Sequence, residues 1–175
     1  MGSRIETLIS REEIQKKVGE LAEQINKDYA AKEIYMICVL KGGISFLVDL
    51  SRKINSDVIF DFMVVSSYGS ETTSSGIIKI KKDLDGNIEG KDVLLIEDII
   101  DSGNTLNQLR NFLMVRNPAS LKICTILDKP SRRVVDVPVD YIGFQIPDEF
   151  VVGYGLDYDQ KYRNLDYIGV VRFDD

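Results

Sequence analysis

Val93-Leu94-Leu95-Ile96-Glu97-Asp98-Ile99-Ile100-Asp101-Ser102-Gly103-Asn104-Thr105-Leu106 reads as a strand, a loop and the start of a helix. Val93 to Ile96 form the short continuous apolar run expected of a central parallel strand covered on both faces. Two carboxylates, Glu97 and Asp98, end that run. Ser102, Gly103 and Thr105 stand where the chain must turn sharply into a helix. Their small side chains let backbone N–H groups and the positive helix end converge on an anion, which makes a phosphate cradle. Glu97, Asp98 and Asp101 beside it would repel a bare phosphate, so the combination calls for a divalent cation and a developing positive charge at the same place. Taken alone, the run also suits the strand-loop-helix turn of any doubly wound protein.

Working outward, 175 residues suffice for one well-buried core and are too few for two. A hydrophobic content of 44% with 29% charged residues is that of an ordinary globular protein, and no apolar stretch approaches the length of a membrane span. The first residues have neither the basic start nor the apolar core of a secretory signal, which predicts a cytoplasmic protein. With no histidine, imidazole bases, histidine-dependent triads and histidine metal sites are excluded, leaving carboxylate, lysine and backbone chemistry. A formal net charge of −6 argues against broad binding to nucleic acid or anionic membrane. Cys38 and Cys124 lie within apolar runs, without metal or redox spacing, and read as buried free thiols.

Ser10-Arg11-Glu12-Glu13 matches a capping box, and Ile14, Val18, Leu21 and Ile25 follow at near-helical spacing, so an amphipathic helix begins there. Ile34 to Leu40 is too short for a typical helix and apolar enough for a buried strand. It stops at Lys41-Gly42-Gly43, ahead of the amphipathic segment Ile44 to Ile54. That turn can present an ammonium and backbone N–H groups to an anion, although by itself a plain loop is the simpler account. Val58 to Val65 and Ile77 to Lys81 read as strands of one long hairpin. Between them, Ser66 to Gly76 is almost entirely Ser, Thr and Gly, which predicts a mobile segment. Leu106 to Val115 is helical in pattern, and Leu121 to Leu127 is a further buried strand ending at Asp128-Lys129. Strand and helix alternate, which implies an α/β fold with parallel pairing, and Lys129 then reaches the same carboxyl edge as Lys41 and Asp101. A lone lysine there is ordinarily a solvated charge. Arg132 and Arg133 are nearby positive charges with no assigned role.

At these residues a family resemblance emerges. Ile96 to Thr105 resembles the phosphoribosyl-diphosphate (PRPP) motif of type I phosphoribosyltransferases, and Leu40-Lys41-Gly42-Gly43 is similar to the turn by which that family contacts pyrophosphate. Asp128-Lys129-Pro130 looks like the point where 6-oxopurine members set a lysine against the purine's exocyclic oxygen. The stretch Tyr141-Ile142-Gly143-Phe144-Gln145-Ile146-Pro147-Asp148-Glu149-Phe150-Val151-Val152-Gly153-Tyr154-Gly155-Leu156-Asp157-Tyr158 resembles the hood of hypoxanthine-guanine members, and Tyr162-Arg163-Asn164-Leu165 continues it. An aromatic-rich core hairpin accounts for Tyr141 and Phe144 but not for separate motif matches in family order.

The resemblance runs from Ile34 to Val170 and implies one phosphoribosyltransferase domain over residues 1–175. Its sheet would be mostly parallel and flanked by helices, with a small hood from about 130–175 plus N-terminal residues, and a flexible lid over 66–77. In the lid, Ser67 and Tyr68 would close over PRPP and exclude water. The implied reaction is reversible transfer of the 5-phosphoribosyl group from PRPP to N9 of hypoxanthine or guanine. PRPP would rest on Lys41, Gly42 and Arg163 at its pyrophosphate and on Ser102, Gly103, Asn104 and Thr105 at its 5′-phosphate. Glu97 and Asp98 would bind the ribose hydroxyls and, with Asp157, order a Mg²⁺ ion. Asp101 would take the N7 proton, Lys129 would read the 6-oxo group, Phe150 would stack on the purine, and main-chain groups of Val151 and Asp157 would read its edge.

The resemblance further implies a cis Leu40–Lys41 peptide and a homodimer or homotetramer acting on small molecules, without nucleic acid or membrane. Asn104 and Gly155 lie where the family varies, and Asp166 replaces a proline common in bacterial members. Xanthine as the base is the nearer rival. A regulatory relative that senses nucleotides and binds nucleic acid is the rival of another class; the acidic balance and the intact catalytic positions weigh against it.

Overall fold

The computed structural model describes residues 2–67 and 77–174. The elements run β1 (Ser3–Ile9), α1 (Arg11–Asp28), β2 (Ile34–Leu40), α2 (Ile44–Ser51), β3 (Val58–Ser67), β4 (Ile78–Lys82) and β5 (Asp92–Ile100). They continue through α3 (Asn104–Met114), β6 (Ser120–Asp128), a 3₁₀ turn (Pro130–Arg132), β7 (Tyr141–Gln145), β8 (Val151–Val152) and β9 (Ile168–Phe173). A central sheet has the order β4-β3-β2-β5-β6-β7, and a second sheet has the order β1-β9-β8. In the central sheet only β4 runs antiparallel to its neighbour; β3, β2, β5, β6 and β7 are parallel.

The continuous apolar runs follow from burial on both faces. Ile34, Met36 and Cys38 of β2 face a cluster with α1 and α2, through Ile14, Val18, Leu21, Phe46 and Leu50. Tyr35 and Ile37 face the opposite cluster, with Leu106, Leu109 and Leu113 of α3. α1 starts where the sequence places it: Ser10 Oγ accepts from Glu13 N at 3.1 Å, and Glu13 Oε2 accepts from Ser10 N at 2.7 Å. Both cysteines are buried free thiols, and burial pushes Cys38 up to about 12, which makes it a packing residue rather than a nucleophile. The Leu40–Lys41 peptide is cis.

Two features differ from the sequence reading. β5 does not end at its carboxylates. It continues to Ile100, with Glu97 opposite Thr125 and Ile100 opposite Asp128 on β6, because the parallel ladder supplies hydrogen bonds whatever the side chains. Ser3–Ile9 is a strand that no apolar pattern announced. Nearly all its side chains are exposed, and it is held by antiparallel pairing to β9, from Ser3 opposite Phe173 to Ile9 opposite Ile168. The expected hairpin forms from β3 and β4, pairing Ser67 with Ile78. The lid expected over 66–77, with Tyr68, lies outside the described residues except for its ends.

Asp61 is the one carboxylate inside the apolar run of β3, and it is 2% exposed. It accepts from Tyr35 Oη (2.6 Å), Phe62 N (2.8 Å), Asp85 N (3.0 Å) and Gly86 N (3.1 Å), which pins the turn after β4 to the sheet. Burial alone would raise its pKa; the hydrogen bonds outweigh burial and hold it below the ordinary carboxylate value. Asp61→Asn cannot accept from all four donors and should cost about 3 kcal/mol. For a chain of this size that lowers the thermal midpoint by about 6–12 °C. Because the folded-state pKa is depressed, the stabilisation is full above the unfolded value and lost as pH falls through the folded one. The gap between the two proteins should therefore close in acid; a gap that is constant with pH would contradict the assignment.

Candidate active site

β2 leads through α2 outward to β3, whereas β5 leads through α3 the other way to β6, and the two helices lie on opposite faces. Since β2 and β5 are neighbours, the loops leaving them diverge and open a crevice at their carboxyl ends, where doubly wound sheets bind ligands. The Lys41–Gly43 turn forms one wall and Asp101–Gly103 the other. A cavity of about 180 Å³ lies there, lined among others by Val39, Val65, Glu97, Asp101, Gly103 and Thr105. A wider depression of about 460 Å³, between Asn26, Lys32, Asn55 and Asp57, is at the opposite, amino-terminal edge of the strands.

On the α3 side, Gly103 takes a left-handed φ of 87° with the Val135 carbonyl packed against it, a conformation and closeness that favour glycine. No side chain of Gly103 can cap α3. Asn104 N donates to Ser102 Oγ at 3.3 Å, and the other first-turn amides face outward at the positive helix end, suited to a phosphate. Thr105 Oγ1 lies 3.4 Å from Ser67 Oγ at the end of β3.

On the β2 side, Lys41 Nζ donates to Gln160 Oε1 at 3.2 Å, and Arg163 NH2 donates to the same oxygen at 3.3 Å. Arg163 also donates to the Gly155 carbonyl at 2.8 Å and lies 3.2 Å from Asp157 Oδ1; its Nε is buried without a partner among the described residues, a donor spare for an oxyanion. Asp157 accepts from Gln160 N at 2.9 Å. Gly42 is packed on the Asp98 carboxylate and Gly155 on the Gly42 carbonyl, so a Cβ at either position would overlap its neighbour. These close approaches fasten the hood onto the crevice.

Glu97 is 8% exposed. Burial, then the adjoining Asp98 charge, push its pKa well above the carboxylate range. Burial also raises Asp98, against the hydrogen bond it accepts from Ile99 N at 2.8 Å. Such a pair sheds its mutual repulsion when hydroxyl donors or a cation arrive. For Mg²⁺ the donor chemistry fits: carboxylate oxygens are its preferred ligands, and one or two of them complete a shell supplied mainly by phosphate oxygens and water. Among the described residues no three acidic side chains form a metal cage, and Asp157 turns to Arg163 rather than joining Glu97 and Asp98.

The third side of the crevice is built by the turn after β6 and by the hood. Lys129 is 8% exposed, its N–H donates to the Ile100 carbonyl at 2.9 Å, and its Nζ lies 3.6 Å from Asp148 Oδ1. Phe150 leaves 52% of its surface open while its edge meets Tyr158 at 5.6 Å, and Tyr158 in turn meets Phe173. Val151 is buried and paired with Val170. Asp101 Oδ1 accepts from Arg132 Nε at 2.7 Å. The sequence reading gave no role to Gln160 or Asp148 and named Arg132 and Arg133 only as nearby positive charges. Arg133 is paired with the buried Asp128 and donates to the Asp101 carbonyl at 3.2 Å. An arginine pair one residue beyond Asp128-Lys129-Pro130 was the available signal.

A parallel sheet with a glycine turn and an uncapped helix start at its switch point and a hood over it defines a class of protein. The family model of the phosphoribosyl transferase domain matches residues 6–159, and the chain belongs to that family. It is 53% identical to a hypoxanthine-guanine phosphoribosyltransferase of Streptococcus thermophilus, over 94% of this chain and 92% of that one. It is 51% identical to the hypoxanthine phosphoribosyltransferase of Escherichia coli, over 98% and 97%. A crystal structure of a hypoxanthine-guanine phosphoribosyltransferase from Bacillus anthracis superposes with a TM-score of 0.92 at 53% identity, covering 95% of this chain and 99% of that one. Among the described residues no helix is long and apolar enough to cross a membrane.

Proposed function

We propose that this protein, whose relatives are named hypoxanthine-guanine and hypoxanthine phosphoribosyltransferases, transfers the 5-phosphoribosyl group of PRPP to N9 of hypoxanthine or guanine, giving IMP or GMP and pyrophosphate. The observation that carries this reading is the convergence, at one crevice, of an uncapped helix start, two cations on one acceptor, and a carboxylate and a lysine joined through Arg132 and Asp148, with an exposed phenylalanine two residues after Asp148. The first-turn amides from Ser102 to Thr105 hold the 5′-phosphate. Lys41, the Gly42 backbone and Arg163 take the pyrophosphate. Glu97 and Asp98 accept from the ribose hydroxyls. Phe150 stacks on the base, Lys129 donates to O6, and main-chain groups of Val151 and Asp157 meet the remaining edge.

As the C1′–pyrophosphate bond breaks, the C1′–N9 bond forms and the N7 proton passes to Asp101, a carboxylate being base enough because N7 grows more acidic as N9 bonds to carbon. Glu97 and Asp98, with Asp157 once it leaves Arg163, would hold a Mg²⁺ ion together with substrate oxygens, and the ion would supply compensation for negative charge on the leaving pyrophosphate. We take residues 1–175 as one domain, since Val151, Ile168 and Val170 of the hood share a hydrophobic cluster with β2 and α1. Buried free thiols suit a reducing cytoplasm. The exposed Ile59 and Phe60 of β3 offer apolar surface for a homodimer or homotetramer.

PRPP-dependent rates with hypoxanthine, guanine, xanthine and adenine test the proposal; absence of product with the first two would end it. Selectivity has a stated determinant. The Lys129 ammonium only donates, so it matches O6 and opposes the 6-amino group of adenine. A buried cation left facing a donor loses about 1–3 kcal/mol or more, so adenine should be used at least tens-fold less efficiently. Lys129→Gln, which offers a donor and an acceptor, should weaken hypoxanthine use and narrow the gap. A kcat/KM ratio that ignores the substitution would remove Lys129 from this role.

A further inference from the structure

N7 and O6 are neighbours on one edge of a 6-oxopurine, so the acceptor and donor that read them must stand side by side. A carboxylate and an ammonium so placed attract each other, and direct pairing would cancel both functions. In the structure Asp101 and Lys129 form no ion pair among the described residues. Each has another partner. Arg132 Nε donates to Asp101 Oδ1 at 2.7 Å, its NH1 donates to Asp148 Oδ2 at 3.4 Å, and Asp148 Oδ1 lies 3.6 Å from Lys129 Nζ. The charges alternate along Asp101, Arg132, Asp148 and Lys129. Arg132 is held at the right place by its own turn: Arg132 N donates to the Lys129 carbonyl at 3.1 Å, and the next residue, Arg133, holds the Asp101 carbonyl.

We propose that Arg132 is a positioning residue which, with Asp148, supplies Asp101 and Lys129 with partners other than each other and keeps them at the spacing that one purine edge requires. The inference rests on the transfer reaction proposed above. It accounts for a planar fork at this place: Nε engages one oxygen of Asp101 in a fixed direction while NH1 spans to Asp148, which a point-charge ammonium does not do. It does not require a contribution to stability. The side chains of Asp101, Arg132 and Asp148 are about half exposed, at 48%, 51% and 53%, and pairs so wet hold little folding energy.

The test is a double-mutant cycle in the full-length protein with hypoxanthine as substrate. Arg132→Gln should lower kcat/KM for hypoxanthine about tenfold, leave KM for PRPP within about twofold and leave the thermal midpoint unchanged. Arg132→Lys should recover only part of the rate. In an Asp101→Asn background, Arg132→Gln should have a much smaller effect, because the arginine acts chiefly through that carboxylate and only what passes through Asp148 to Lys129 remains. Wild-type activity in the single variant, or the same fractional loss in both backgrounds, would overturn the proposal. The wild-type rate measured alongside reports the transfer reaction by itself: an inactive wild type sinks that reading and this inference with it, whereas an active wild type with an indifferent Arg132→Gln sinks this inference alone.

Discussion

Asp101→Asn is expected to reduce the forward rate with hypoxanthine by about 10²–10⁴-fold, the usual loss when a general base is removed, while PRPP binds nearly as before. The position explains the separation. Asp101 lies between the end of β5 and the Ser102–Gly103 turn into α3, its carbonyl held by Arg133 and its carboxylate by Arg132, so an isosteric amide keeps the loop in shape. An amide still accepts a hydrogen bond from Arg132 but cannot take a proton from N7. The loss should therefore fall on kcat, with PRPP affinity measured by calorimetry changing little. A variant that turns over at the wild-type rate would take Asp101 out of the base role; one that no longer binds PRPP would make it a structural residue of the loop.

Removing divalent metal is expected to abolish activity, and adding Mg²⁺ to restore it. In the proposed complex a multiply charged substrate would approach Asp98, Asp101 and Asp157, next to a Glu97 that burial and Asp98 already push toward its neutral form, with Lys41 and Arg163 as the compensating cations. Two cations, one already facing Asp157, do not neutralise a pyrophosphate and those carboxylates together, and the leaving group gains further negative charge as C1′ detaches. Turnover at the full rate in chelator would contradict this. Loss of turnover with PRPP binding also gone would place the metal on the substrate before chemistry begins.

Much of this was legible because the decisive elements are local. Val93 to Ile96 are buried on both faces, and such a run has little choice but to be a central strand. The phosphate turn is written in consecutive small residues, and the capping box of α1 lies within four positions. What escaped depends on partners distant in sequence. β1 exposes most of its side chains and exists because β9, from the other end of the chain, pairs with it. Arg132 acquires meaning only when the turn after β6 folds back on Asp101, and Gln160 only when Lys41 and Arg163 meet on its oxygen. Asp61 was readable: a lone carboxylate in the run Val58 to Val65 must find donors or unfold the strand, though not which donors.

The pairing of β1 with β9 orders events in time as well as space. A ribosome releases β1 ahead of β2 through β7 and its partner β9 after them, so β1 waits unpaired while the central sheet and both walls of the crevice are completed. β8 and the aromatic row from Phe150 through Tyr158 to Phe173 are finished only when β9 arrives. On the function proposed above, a nascent chain therefore completes the turns assigned to the sugar phosphate before the surface assigned to the base.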